Sequence, residues 1–127
     1  MLKTFETYSS GTLEAHVDQP TGISLVCLSC HDGTMGTDHT VTDPLGTDLR
    51  NDHPISFTYD AFLALTDTGL RNPSTTPGSR GGTIATDNLE AGRMECTSCH
   101  NVHDNTNGNF LIENNSGSRL CFRCHAK

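Results

Sequence analysis

"CTSCHNVHDN", residues 96–105, places two cysteines and two histidines within eight positions. Cys96, Cys99 and His100 form one group with the spacing C-x-x-C-H. The same pattern recurs at Cys27-Leu28-Ser29-Cys30-His31 and at Cys121-Phe122-Arg123-Cys124-His125, and the three copies use all six cysteines. Disulfides would suit a small secreted domain but leave the His after every second Cys without a role. Two C-x-x-C pairs can hold one structural zinc, but three pairs make an awkward ligand count and the adjacent His again goes unused. C-x-x-C-H is the attachment signature of c-type haem, in which two thiols bond to the porphyrin edge and the adjacent His reaches the iron. The pattern therefore predicts three covalently attached haem c groups, at Cys27 and Cys30, at Cys96 and Cys99, and at Cys121 and Cys124. His31, His100 and His125 are the expected proximal ligands.

The composition agrees. The chain has 127 residues, enough for one domain, and 33% of them are hydrophobic, with no Trp, two Tyr and five Phe. Side chains this small fill a core poorly. Three porphyrins would supply the missing interior, and the apoprotein would then be largely unfolded. The expected fold is a small haem-packed multihaem cytochrome, residues 1–127 as one three-haem domain, mostly coil with a few short α-helices and little β-structure. The net charge of −7 argues against nucleic acid, which selects basic surfaces. No apolar run approaches the roughly 20 residues that span a bilayer. The start, Met1-Leu2-Lys3-Thr4-Phe5-Glu6, lacks the apolar stretch of a signal peptide. Haem c attachment normally follows export, so an export signal is expected outside this numbering, with the protein periplasmic or extracellular.

Each iron takes a second axial ligand. His16, His39, His53 and His103 remain, against Met1, Met35 and Met94. Met35 and Met94 lie too close to their own motifs to pass to the far haem face. Four spare histidines for three irons favour bis-His ligation and comparatively low potentials. If residues 96–103 form a helical turn, His100 and His103 share a face. His103 then cannot reach the opposite side of its own haem, so it is expected to serve a different one; an exposed or capping histidine is the plainer alternative. Pro54 keeps His53 extended, and His53 is read as a distal ligand rather than a turn histidine. For the third ligand, His16 has an ordered neighbourhood with alternating Leu13, Ala15 and Val17, whereas His39 lies in a Gly/Asp/Thr loop. His16 is preferred and His39 is the alternative; a ligand near the N-terminus could also reach the haem of a neighbouring molecule.

Along the chain, a short helix is expected from about Ser56 to Leu65, with Phe57, Ala61, Phe62 and Leu65 as its apolar face and Gly69 as its stop. Residues 71–88, "RNPSTTPGSRGGTIATDN", read as plain surface loop. Asp32, Asp38, Asp43, Asp48 and Asp52 read as a solvated acidic face; no spaced calcium-loop motif accompanies them. Only Ala126 and Lys127 follow His125, so the edge of the third haem is expected near the surface.

"QPTGISLVCLSCHDGT", "LGTDLRNDHPISFTYD", "MECTSCHNVHDN" and "RLCFRCHAK" resemble the multihaem c-type cytochromes with doubled CXXCH motifs, some of which polymerise into extracellular filaments. The resemblance runs from about residue 8 onward. It implies that His53, in the HPISF-type segment, and His103, in CXXCHxxH, act as distal ligands. It also implies bis-His haems, electron transfer and a place outside the cytoplasm. Similar proteins often carry a further upstream CXXCH, absent here, which leaves the source of one axial ligand open between His16 and His39. The expected function is electron transfer without chemical change of a substrate, not enzymatic catalysis. The chain would act as a subunit of an extracellular filament with inter-subunit haem contacts, since a repeated head-to-tail interface gives an open polymer. Redox proteins or extracellular electron acceptors would be its partners. The alternatives are a monomeric periplasmic shuttle and, from another class, a multihaem reductase, which would need an iron with an open ligand position.

Overall fold

The computed structural model describes residues 3–34 and 44–127. His39, Met35, Asp38 and Asp43 lie outside the described residues, as does Met1. Regular structure is sparse and mostly coil, with four short helices and one two-stranded sheet among the described residues.

The apolar run of "GISLVCLSCH" forms the longest element, α1 (Gly22–His31). Ser24 and Leu28, four apart, face inward and are fully buried. Ile23 and Val26 face out on the opposite side, each four residues before a cysteine of the first motif. The helix stops at Asp32, whose backbone N–H returns to Leu28 O at 2.8 Å, and Gly33 turns the chain at φ +88°. Asp32 is not part of a solvated acidic face. It is buried, 3.1 Å from Lys3 Nζ, and accepts from the Thr34 hydroxyl at 2.5 Å.

β1 (Phe57–Thr58) pairs antiparallel with β2 (Arg93–Met94), with Phe57 opposite Met94, and both of those side chains enter the core. This corrects the helix expected from Ser56. The chain is extended until Asp60, whose carboxylate accepts from Leu63 N at 2.9 Å and so starts α2 (Ala61–Thr66). The apolar face is corrected too. Leu63 is buried, while Phe62 and Leu65 are 75% and 78% exposed. The helix ends at Asp67, in extended conformation, rather than at Gly69. Starting five residues later, the helix turns Leu63 inward in place of Phe62 and Leu65.

Residues 71–88 are more than surface loop. They bury Pro73 and Ile84 completely, and they contain α3 (Ile84–Asp87), capped by Thr83. The Asp87 carboxylate accepts from the backbone N–H groups of Arg80 and Gly82 at 2.8 and 2.9 Å, closing the loop on itself. A Cβ at Gly78 would lie 2.3 Å from Thr83 O, so glycine is required there.

Two small cores result. Phe57, Tyr59, Leu63, Ile84, Leu89 and Met94 form one, with Ala15, Val17, Leu70 and Cys124 against it. Phe5, Leu28 and Leu49 form the other, under α1. Among the described residues nine hydrophobic side chains are buried and eight large ones are exposed, so the side chains leave a substantial apolar surface uncovered. The last helix, α4 (Arg119–Cys124), leads into a backbone zip. Leu70 bridges His125, Arg71 N donates to Cys124 O, and Ala126 N donates to Gly69 O, both at 2.8 Å.

Candidate haem-attachment sites

A C-x-x-C pair presents both thiols on one side only if its four residues make a helical turn. All three motifs do so, by different means. Cys27, Cys30 and His31 occupy the last turns of α1. Cys96–Ser98 is a single 3₁₀ turn continued by Cys99 in helical conformation, and Cys121 and Cys124 lie in α4. No pair of the six is joined as a disulfide, and no group of three or more His, Cys, Asp or Glu side chains converges among the described residues.

The motifs are neighbours. Ser24 of α1 accepts from Cys96 N at 2.9 Å and donates to the Glu95 carboxylate. Glu95 is 3% exposed and also accepts from Ser56 Oγ at 2.9 Å and pairs with Arg93. This buried polar knot fixes the start of the second motif against the first motif's helix, with Cys27 beside Cys96. Burial, then the charge and hydrogen bond of Cys96, push the Cys27 thiol up. Burial, then the nearby Cys121, push the Cys99 thiol up to about 11. Burial, then Cys99, push Cys124 up to about 11. These thiols are protonated at neutral pH, unlike the thiolate of a cysteine nucleophile. Ile112 N donates to Cys99 O at 3.0 Å, and Arg123 pairs with Glu113, so residues 112–113 tie the second motif to the third.

The ring nitrogens carry a further signal. His100 Nδ1 lies 2.9 Å from Asn109 O, and His53 Nδ1 lies 2.8 Å from Pro54 O. A carbonyl can only accept, so Nδ1 donates and the Nε2 lone pair is left for a metal, the usual state of a ligating histidine. His53 and His125 have ring centroids 6.3 Å apart and planes at 71°.

His103 is exposed, in a turn in which Asp104 N returns to Asn101 O at 3.1 Å. The helical turn expected over residues 96–103 ends early, because His100 leaves it to form a bridge with Leu111. The shared-face argument for His100 and His103 therefore does not hold. Leu13, Ala15 and Val17 are half-buried while His16 between them faces out and meets Asp18 at 2.9 Å. His39, the alternative to His16, lies outside the described residues.

Sequence reasoning missed Glu95, Ser24 and Ser56. Nothing in the linear pattern marks a glutamate before a motif as buried; only the partner hydroxyls from two distant segments make it so.

The donor set fits haem c. Each motif offers two thiols on one turn with a histidine beside them. Two of the histidines hold the tautomer that ligates through Nε2, and exposed Ile23, Val26, Phe110 and Phe122 flank the motifs as apolar faces suited to a porphyrin. Among the described residues no helix is long and apolar enough to cross a membrane. No curated protein matches the chain. Residues 89–127, under a third of the chain, match the family model described as the doubled CXXCH motif, and this match to the second and third motifs supports a multihaem c-type cytochrome that binds haem covalently and carries electrons.

Proposed function

We propose that this protein is an electron carrier holding three bis-His haems, one per motif, and acting outside the cytoplasm as a subunit of an extracellular filament. The observation that carries the electron-transfer reading is the tie between motifs: Cys96 N donates to Ser24 of the first motif's helix at 2.9 Å, and Ile112 N on Cys99 O together with the Arg123–Glu113 pair links the second motif to the third. Residues that hold three redox groups side by side serve exchange between them, not three separate tasks. Cys27 with Cys30, Cys96 with Cys99 and Cys121 with Cys124 would each hold one haem through two thioether bonds, a redox-neutral addition. Once bound, haem c supplies a one-electron ferric/ferrous couple. The protein's part is to hold spacing, fix ligand tautomers through Pro54 O and Asn109 O, and shield the rings with apolar side chains. His31, His100 and His125 are the proximal ligands in this reading, and His53, His103 and His16 the distal ones, with His39 in place of His16 as the variant. The resemblance of CTSCHNVH to CXXCHxxH supports His103 as a distal ligand, and its exposed position suits a haem other than that of Cys96 and Cys99.

The filament reading is supported by His16, which faces away from the core on a half-buried strap and so suits an iron of the neighbouring molecule. Head-to-tail repetition of that contact would polymerise the chain. Mass spectrometry of the mature protein tests the first claim: three haem additions are expected, and an unmodified mass refutes it. Negative-stain imaging tests the second, since uniform single particles at high concentration would leave the monomeric shuttle. A high-spin ferric haem in the native protein would instead favour a reductase.

A further inference from the structure

His53 and His125 lie 72 residues apart in the chain, and backbone hydrogen bonds fix the segments that carry them. Ser56 N donates to Met94 O at 2.7 Å, anchoring the His53-Pro54 segment to β2, while the zip of residues 69–71 with 124–126 anchors His125. Both rings line one open, largely apolar pocket with a cavity volume of about 80 Å³. Its walls include Leu13, Ala15, Phe57, Leu70 and Met94, and Cys124 stands at its edge. Two imidazoles bound on opposite sides of one iron have their centroids about 6 Å apart, from two metal–nitrogen bonds of about 2 Å each and the two ring radii. The observed separation is 6.3 Å.

We propose that His53 and His125 are the two axial ligands of a single haem, the one bound by Cys121 and Cys124, and that their imidazole planes cross steeply. This rests on the haem reading above and adds which iron His53 serves. The strap at Leu13 and Ala15 and the β1–β2 pair then form the walls of that haem's site, so the middle of the chain closes over the third motif. Crossed ligand planes bring two iron d-orbitals close in energy and make the ferric low-spin resonance strongly anisotropic; parallel planes separate them and give an ordinary rhombic signal.

The test uses holoprotein whose haem content has been confirmed by mass, read by electron paramagnetic resonance and redox titration. The wild type is expected to show one strongly anisotropic low-spin signal with the intensity of a single haem. His53→Ala should lose that signal to high-spin iron, with added imidazole restoring a low-spin spectrum. Cys121→Ser with Cys124→Ser should also lose it, and His53→Ala on that background should change nothing further. His53→Met keeps a ligand and should raise one midpoint potential while leaving the others in place. The assignment is overturned if the signal survives His53→Ala with all haems attached. It is also overturned if His53→Ala still perturbs a haem after Cys121 and Cys124 are gone. Absence of haem from the wild type would instead overturn the electron-carrier reading itself.

Discussion

The first motif and the other two reach the same local geometry from opposite directions. Cys27 and Cys30 sit on a ten-residue α-helix, but that helix rests on a core of only Phe5, Leu28 and Leu49. Cys96 and Cys99 have one 3₁₀ turn, and Cys121 and Cys124 a six-residue helix, yet the region around them holds a six-residue core and a hydrogen-bonded loop. A long helix is thus not what a haem-attachment turn needs. It needs one turn to align two thiols, and something rigid underneath to aim them. Where the underlying core is thin, the helix supplies its own rigidity. Where the core is thick, a turn suffices.

The contrast can be broken at its cores first. Ile84→Ala empties a fully buried site in the larger cluster and is expected to cost about 4 kcal/mol of unfolding free energy, measured by denaturant titration of the holoprotein. Leu28→Ala, 1% exposed in the smaller cluster, should cost about 3 kcal/mol, because a thin core collapses more readily around the space. Equal or reversed losses would mean that the two cores do not differ in rigidity.

Next is the knot that joins the two regions. Glu95→Ala removes the acceptor shared by Ser24, Ser56 and Arg93 and is expected to cost about 2 kcal/mol. Hydrogen exchange should show α1 loosening while the amides of α3 hold. Ser56 is part of the same economy of strain: it takes φ +59° while buried, a conformation that the Glu95 bond helps retain.

The smallest effect concerns acid. Backbone N–H bonds from Arg80 hold the Asp87 carboxyl below its ordinary value, with Gly82 and the Thr86 hydroxyl adding to this. A depressed carboxyl stabilises the fold above its unfolded value, and that contribution is lost as pH falls through the lower folded value. Stability should therefore decline from about pH 4 downward, the ordinary aspartate range. Asp87→Asn should flatten that part of the pH profile, and an unchanged profile would show that the loop closure does not depend on the charge.

The cysteines and their adjacent histidines were legible because attachment chemistry demands residue types at fixed spacing, whatever surrounds them. The sparse regular structure was legible from composition, and the inward alternation of Leu13, Ala15 and Val17 from its period of two. The helix near residue 60 was misplaced because a run containing Phe57, Phe62 and Leu65 fits a helical stripe as well as the strand and capped turn that Asp60 imposes. The loop of residues 71–88 was undervalued because its Pro and Gly content conceals a buried Ile84.

By itself the sequence determined which residues bear the thiols and which histidines stand beside them, since those relations are local. Only the tertiary structure decided that Glu95 is buried, that His103 leaves the turn of His100, and that His53 meets His125. Those relations depend on backbone hydrogen bonds between segments far apart in the chain, and no local pattern records where such segments come together.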